Sequence, residues 1–197
     1  MPVPARRGRG RPPGPPVDAV ARREHLLDAA EQAIRLSGPE AGLVDVAHAA
    51  GLSRSAVYAT FNDRCAVIDA LATRHTSKIL AEMQEIVRGL PDPREQTRAC
   101  IDILARWFDE EPNLAQALSQ HIGNRPSLAS GLAAILAAGF ASRGLEPSPA
   151  EPWAYGLIGA VSTTVHWWAL TRSIPRSELV EHLTSLIWGG FAGASDR

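Results

Sequence analysis

The side chains best suited to chemistry lie in residues 43–64, LVDVAHAAGLSRSAVYATFNDR, and the chemistry that they suit is recognition of DNA. Arg54 carries a planar fork of donors that can pair bidentately with O6 and N7 of a guanine. Ser55 and Ala56 are short enough to let a helix approach the bases, and the hydroxyl of Tyr58 can reach a phosphate. Small and polar side chains on one short segment therefore predict a DNA-contacting face.

Two short helices joined by a tight turn must position these side chains. An apolar stripe at helical spacing precedes Gly51 and consists of Leu43, Val46, Ala47 and Ala50. Glycine can adopt the left-handed conformation that ends a helix without a Cβ clash. Ser53 can cap a second helix, whose inward residues are Val57 and Phe61. Such a helix-turn-helix places its second helix in a DNA major groove.

The first 16 residues, MPVPARRGRGRPPGPP, predict a disordered basic arm because they are rich in Pro and Gly. The sequence Arg9-Gly10-Arg11-Pro12 resembles the core of an AT-hook, in which two Arg side chains lie in a narrow A·T minor groove. The alternative is a solvated basic tail that adds non-specific affinity. The net charge of −1 does not argue against DNA, since binding depends on where the charge lies.

Composition excludes several other classes of protein. A hydrophobic content of 45% suits a soluble globular chain, and no apolar run is long enough for a membrane span. Cys65 and Cys100 have no paired spacing, so we expect neither a disulfide framework nor a zinc site, and no cofactor. A reducing cytoplasm is the expected location.

Apolar periodicity predicts an all-α fold of about nine helices, since no segment shows sustained strand-like alternation. The predicted helices cover residues 18–36, 41–50, 53–60, 63–88, 94–110, 113–122, 126–142, 150–172 and 175–192. Pro91-Asp92-Pro93 is the clearest break in the chain. The predicted organisation is a basic arm (1–16), a DNA-binding domain (17–64), and a ligand-sensing and dimerisation domain (65–197).

Three segments resemble the tetracycline-repressor-like (TetR) family of bacterial transcription regulators. REHLLDAAEQAIRLSG resembles the first helix of the family and DVAHAAGLSRSAVYATF its helix-turn-helix. NDRCAV is similar to the opening of the fourth helix, with Arg64 at the usual Lys position. The chain departs from the family at Ala41-Gly42, where a Thr or Ser pair is usual. The resemblance implies a symmetric homodimer on a pseudo-palindromic operator.

We predict a set of DNA-contacting residues from the motif and the resemblance together. Arg54 is expected to contact a base, and Ser53, Tyr58, Thr60 and Arg64 to contact phosphates. The full set is Arg9, Arg11, Val44, Ser53, Arg54, Ser55, Ala56, Tyr58, Ala59, Thr60 and Arg64. Alone, the two arginines of the motif would be solvated helix charges and Tyr58 a support for the turn, but their joint spacing favours DNA.

The C-terminal region is predicted to dimerise and to bind a ligand. Residues 150–172 contain a small-residue face, and with residues 175–192 they suit a four-helix interface between two subunits. The alternative is a helix hidden in the core of a monomer. Apolar walls with a few polar groups are typical of small-molecule pockets. The predicted ligand-binding residues, each of which could instead be plain core or a solvated surface residue, are Trp107, Phe108, His121, Trp153, Thr163, His166 and Trp167.

The favoured function is a sequence-specific DNA-binding regulator, a repressor released from its operator by a small apolar or aromatic effector that moves the 63–88 helix. One alternative is an architectural DNA-binding protein that acts through its AT-hook-like arm. The other is a helical small-molecule enzyme, although the sequence shows no HExxH, nucleophile elbow or phosphate loop. His121 and His166 as metal ligands are the weakest option, since lone histidines are usually packed or solvated.

Overall fold

The computed structural model describes residues 18–190, and within them the chain forms nine α-helices and no β-strand. In chain order these are α1 (Ala19–Ser37), α2 (Leu43–Ala50), α3 (Arg54–Tyr58), α4 (Arg64–Gly89), α5 (Pro93–Glu110), α6 (Pro112–Gly123), α7 (Pro126–Ala141), α8 (Ala150–Thr171) and α9 (Arg176–Gly189). The all-α prediction is confirmed. The predicted arm, with Arg9 and Arg11, lies outside the described residues.

Aspartate caps and prolines fix where several helices begin. The Oδ1 atoms of Asp18 and Asp63 each accept a hydrogen bond from a first-turn N–H, at 2.9 and 2.8 Å. These bonds satisfy donors that have no partner within the helix. Pro93, Pro112 and Pro126 occupy the first positions of α5, α6 and α7, where the missing N–H removes no helical bond.

Helix α3 is shorter than its sequence predicts. The periodicity extends to Thr60, but the helix ends at Tyr58 and a tighter turn follows, in which the N–H of Thr60 donates to the carbonyl of Val57, three residues earlier, at 2.9 Å. This tight turn folds Phe61 back under the helix, where it is buried. The recognition segment is therefore one short helix with a closing turn.

Two hydrophobic cores hold the helices together. The first joins α1, α2, α3 and the start of α4 to α6, and the second joins α5, α8 and α9. Helix α4 extends from the first core along the C-terminal helices, so the predicted boundary between residues 64 and 65 falls at its first turn. Because α6 packs into the first core, the division into residues 17–64 and 65–197 stays a prediction.

Candidate functional site

The turn between α2 and α3 has the geometry that its glycine predicts. Gly51 has φ 64° and ψ 29°, a left-handed conformation in which its N–H donates to the carbonyl of His48 at 3.1 Å. The hydroxyl of Ser53 then caps α3 by accepting a hydrogen bond from the N–H of Ala56 at 3.3 Å. Val57 of α3 is completely buried. The helix-turn-helix prediction is confirmed.

Helix α1 holds this unit from behind through polar contacts. The Arg22 guanidinium donates to the carbonyl of Ala56 at 3.4 Å, and His25 Nε2 donates to the carbonyl of Ala50 at 3.3 Å. The guanidinium of Arg23 lies 4.7 Å from the centre of the Phe61 ring. The three α1 residues thus fix α2, α3 and the turn after α3 as one head.

The outer face of the head carries the residues predicted to contact DNA. The exposed members are Val44, Ser53, Arg54, Ser55, Tyr58 and Ala59, and the half-buried members are Ala56 and Thr60. Tyr58 is 50% exposed, so its ring does not support the turn from inside the core. Nothing in the described residues covers this face, which leaves α3 accessible to a groove of DNA.

Arg64 has a structural role that the sequence did not indicate. Its Nε donates to the carbonyl of Ala41 at 3.1 Å, and its Nη2 donates to the carbonyl of Pro39. Glu40 lies 3.7 Å from the same Nη2 atom. These contacts tie the start of α4 to the connection between α1 and α2. Contact of Arg64 with a phosphate stays a prediction.

A large cavity of about 1150 Å³ lies among α4, α5, α6, α7 and α8. Trp107, Phe108 and Trp153 line it, as three of the predicted ligand residues. Much of the remaining wall consists of aliphatic side chains that are half-buried: Leu104, Leu132, Ile135, Leu136, Leu157 and Ile158. An apolar wall of this size suits an apolar molecule.

The other four predicted ligand residues do not line this cavity, and their contact with a ligand stays a prediction. Thr163 and Trp167 are exposed, because they lie on the outer face of α8, away from its buried residues Val165 and Trp168. His166 lies edge-on behind the Phe108 ring, with the ring centres 6.2 Å apart. His121 is separate from all of these.

His121 lines a smaller, polar depression between α4 and the end of α6. Its Nδ1 lies 3.3 Å from Asp69 Oδ1, and the guanidinium of Arg125 donates to the carbonyl of Asp69 at 2.6 Å. The sequence predicts His121 as a polar group of the same pocket as the aromatic residues, whereas the structure places it in this separate depression.

A charged network connects α1 to the cavity wall, and sequence reasoning missed it. Glu31 of α1 is 8% exposed, and its Oε1 accepts a hydrogen bond from His75 Nε2 at 3.0 Å. The His75 ring stacks on Trp107 of the cavity wall, with centres 5.6 Å apart and an angle of 21°. Arg35 joins Glu31 at 3.2 Å to Glu111 at 2.8 Å. Charged Glu31 on the apolar side of α1, and His75 in the apolar stripe of α4, were the available clues.

The network determines the ionisation of its buried carboxylate. Burial alone raises the pKa of Glu31, but the hydrogen bond from His75 and the charges of His75, Lys78 and Arg74 together lower that pKa to about 2. The Glu31 carboxylate is therefore charged at neutral pH. A charge in this position holds α1 against α4 beside Trp107.

The outer faces of α8 and α9 expose an unusual amount of apolar surface. The large apolar side chains of α8 and α9 that are at least half exposed are Trp153, Tyr155, Leu170, Leu186 and Trp188, and Trp167 is 49% exposed. Trp153 and Trp188 also line the cavity. Gly156, Gly159, Ala160 and Thr163 are exposed between them on α8. Large exposed apolar side chains typically mark a protein–protein contact where they form one patch. The small residues of α8 allow another helix to approach closely.

Residues 18–190 hold neither a metal-binding cluster nor a membrane-spanning helix. No group of three or more His, Cys, Asp or Glu side chains in that range is arranged to hold a metal ion. None of the described helices combines the length and the apolar character needed to cross a bilayer.

Known proteins resemble this chain in sequence and in fold. The family described as "Tetracyclin repressor-like, C-terminal domain" matches residues 54–197. The uncharacterized HTH-type transcriptional regulator Rv0472c of Mycobacterium tuberculosis H37Rv is 27% identical over 184 residues, which cover 88% of this chain and 79% of that protein. The HTH-type transcriptional activator FasR of Mycolicibacterium smegmatis is 25% identical over 182 residues, or 87% of this chain and 83% of FasR.

A solved structure extends the similarity to the three-dimensional fold. FadR from Thermus thermophilus, described as a TetR family transcriptional repressor in complex with lauroyl-CoA, superimposes with a TM-score of 0.67 at 20% identity. The match covers 85% of this chain and 94% of FadR. At this identity the similarity establishes a shared fold.

Proposed function

Because the chain belongs to the tetracycline-repressor-like (TetR) family of DNA-binding transcriptional regulators, we propose that it binds a pseudo-palindromic operator as a homodimer and that a long-chain apolar ligand in the cavity releases it. The observation that carries the proposal is the uncovered face of α3 on a head that α1 holds fixed. The cavity and the exposed faces of α8 and α9 support the sensing and dimerisation parts.

In the proposed complex, α3 lies in the major groove. Arg54 pairs with a guanine, and Ser55 and Ala56 allow the helix to approach the base edges closely. Tyr58 and Ser53 contact phosphates on either side, which fixes the register without adding sequence information. Val44, Ala59, Thr60 and Arg64 complete the proposed contact surface.

The proposed dimer joins the outer faces of α8 and α9 of two subunits in a four-helix interface. Burial of Trp167, Leu170 and Trp188 would remove from water the large apolar side chains that the single chain leaves exposed. The two-fold axis of this interface would present two copies of α3 to successive major grooves. An operator with two inverted half-sites follows from that symmetry.

The proposed ligand has a long apolar body. The cavity of about 1150 Å³ exceeds what a small aromatic molecule would fill. FadR from Thermus thermophilus, which shares the fold, is described in complex with lauroyl-CoA, and that supports an acyl chain as the occupant here. Filling the cavity would press on Trp107, and the stacked His75 would pass the displacement to Glu31 of α1. The ligand must favour the released conformation by differential affinity.

Selection of bound sequences from a random DNA pool tests the proposal. We expect an inverted repeat whose half-site centres are about 10 base pairs apart, or a multiple of that spacing. Arg54→Ala should lose about 1–3 kcal/mol of discrimination at one base pair in each half-site, because a bidentate contact is removed. Fluorescence anisotropy with selected and scrambled DNA measures this loss.

Arg88→Ala provides the matched control, since Arg88 is an exposed arginine near the distal end of α4. Its affinity for both DNAs should equal that of the wild type. Equal losses of affinity on selected and scrambled DNA for Arg54→Ala would contradict base recognition by Arg54. A selected sequence without inverted repeats would contradict the dimer.

A further inference from the structure

Four charged side chains at the protein surface line the cavity from α4 and α5, and we call this set of residues the mouth. Lys78 and Glu82 lie one helical turn apart on α4, and Arg106 and Glu110 face them from α5. The interior behind them is lined largely by aliphatic and aromatic residues. A molecule in this cavity would therefore meet a mainly apolar wall, with these four charged side chains grouped on one side of it.

The two cations of the mouth differ in how firmly they are neutralised. Arg106 is paired with Glu82 across the gap between the helices, at a site where both side chains are about two-fifths exposed, 39% and 44%. Lys78 makes no hydrogen bond or ion pair with a carboxylate of the described residues, although its charge acts on buried Glu31. Glu110 lies 4.0 Å from the guanidinium of Arg176. Within the described residues the mouth therefore holds one cation without a direct ion pair and one that is paired with a partly exposed carboxylate.

We propose that this mouth selects an amphiphile with an anionic head, which Lys78 and Arg106 bind while its apolar body fills the cavity. Binding is an exchange of partners, in which the ligand anion replaces Glu82 as the acceptor for the Arg106 guanidinium. The planar fork of arginine suits a carboxylate or a phosphate equally. The inference rests on the proposed ligand-sensing function and adds the chemistry of the head group.

Isothermal titration calorimetry on the full-length protein tests the head group with three probes that share a 12-carbon chain: laurate, lauroyl-CoA and 1-dodecanol. Arg106→Gln should weaken binding of an anionic probe about five- to tenfold and change the affinity for 1-dodecanol less than about twofold. Glu82→Gln should tighten binding of the same probe by about two- to fivefold, because the competing carboxylate is removed. Opposite effects from two neighbouring substitutions cannot come from a general loss of folding.

Arg98→Gln is the matched control, since Arg98 is an exposed arginine on the same helix as Arg106, lies 3.5 Å from Glu181 and does not line the cavity. It removes the same charge away from the mouth and should leave all three affinities unchanged. An Arg106 effect on laurate identifies the carboxylate as the bound head, and an effect on lauroyl-CoA alone identifies the phosphates of the CoA.

Two results would overturn the inference, and they differ in what they imply for the proposed function. If all three probes bind and neither anion depends on Arg106, the mouth does not bind the head group, while the apolar cavity remains a ligand site. If none of the three probes binds the wild type, the ligand-sensing proposal fails together with the inference.

Discussion

The DNA-binding head and the helices around the cavity contain similar apolar side chains but differ in how completely they bury them. In the head, Leu26, Val57 and Phe61 are no more than 1% exposed, so the outer face rests on a filled core. Around the cavity, Leu104 and Leu136 are only partly buried. Interiors without voids resist deformation, whereas unfilled apolar surface gains from being covered. The head therefore presents one fixed surface, whereas the cavity leaves apolar surface that the proposed ligand would cover.

The network around Glu31 lies where these two regions meet. Glu31 and Arg35 belong to α1 of the head, while His75 and Glu111 border the cavity. A buried, paired charge holds its partners in one geometry more strictly than an apolar contact does. The protein therefore combines three structural units: the filled core of the head, the unfilled cavity and the ionic network that connects them.

The largest expected effect comes from truncating the core of the head. Phe61→Ala should lower the free energy of unfolding by about 3–5 kcal/mol, because it leaves a cavity in a closed core. Leu136→Ala, on the cavity wall, should cost only about 1 kcal/mol, since the side chain is partly buried and already borders empty space. Urea denaturation followed by circular dichroism measures both. Equal losses of unfolding free energy for the two variants would contradict the proposed difference in packing between the head and the cavity wall.

The ionic connection should show a smaller effect that depends on pH. The pKa of Glu31 falls from 4.5 to about 2 on folding, so its ionised form contributes about 3 kcal/mol of stability at neutral pH. Because this pKa is lowered in the folded state, the contribution is complete above about pH 4.5 and is lost as pH falls towards 2.

Glu31→Gln should therefore be less stable than the wild type by about 2–3 kcal/mol at pH 7, with the difference shrinking between pH 4.5 and pH 2. Denaturation of both proteins over that pH range measures the difference. Glu24→Gln is a suitable control, because Glu24 is an exposed residue on the same helix. If the difference in unfolding free energy between Glu31→Gln and the wild type did not change with pH, we would attribute it to packing and not to the charge of Glu31.

The sequence predicts the head in detail because its local signals for helix ends, helix starts and buried positions all agree. Gly51 can end a helix, Ser53 can begin the next, and Val57 and Phe61 share one face, so the chain itself specifies the turn and the exposed side of α3. Arg64 shows the limit of this reasoning. Its contacts with the carbonyls of Pro39 and Ala41 cross 25 and 23 residues of sequence, and no local pattern reports them.

The sequence predicts the residues of the cavity wall less well than those of the head, because the position of a cavity depends on how separate helices pack against one another. Periodicity identified the apolar faces of α5, α7 and α8, but not which residues line the space between them. Trp107 and Thr163 both lie on helices with apolar faces, yet the structure places only Trp107 on the cavity wall. The sequence does not indicate the proposed role of Lys78, Glu82 and Arg106 for a related reason: only the packing of α5 against α4 brings these charges together beside the cavity.

The two cysteines provide a chemical comparison of the regions, since Cys65 is exposed in the first turn of α4 and Cys100 lines the cavity. Burial, followed by the charge of Glu82, raises the pKa of Cys100 from 9.0 to about 11.

At pH 8 the thiolate of Cys100 should be about a hundredfold less populated than that of an ordinary thiol. The Cys65→Ser variant should therefore react with iodoacetamide about a hundredfold more slowly than Cys100→Ser, and its rate should rise about tenfold per pH unit. Saturating 1-dodecanol should slow Cys100 further and leave Cys65 unaffected, because only Cys100 borders the space that the ligand fills. Equal rates for the two variants at pH 8 would show that the cavity wall is as open to water as the surface of the head.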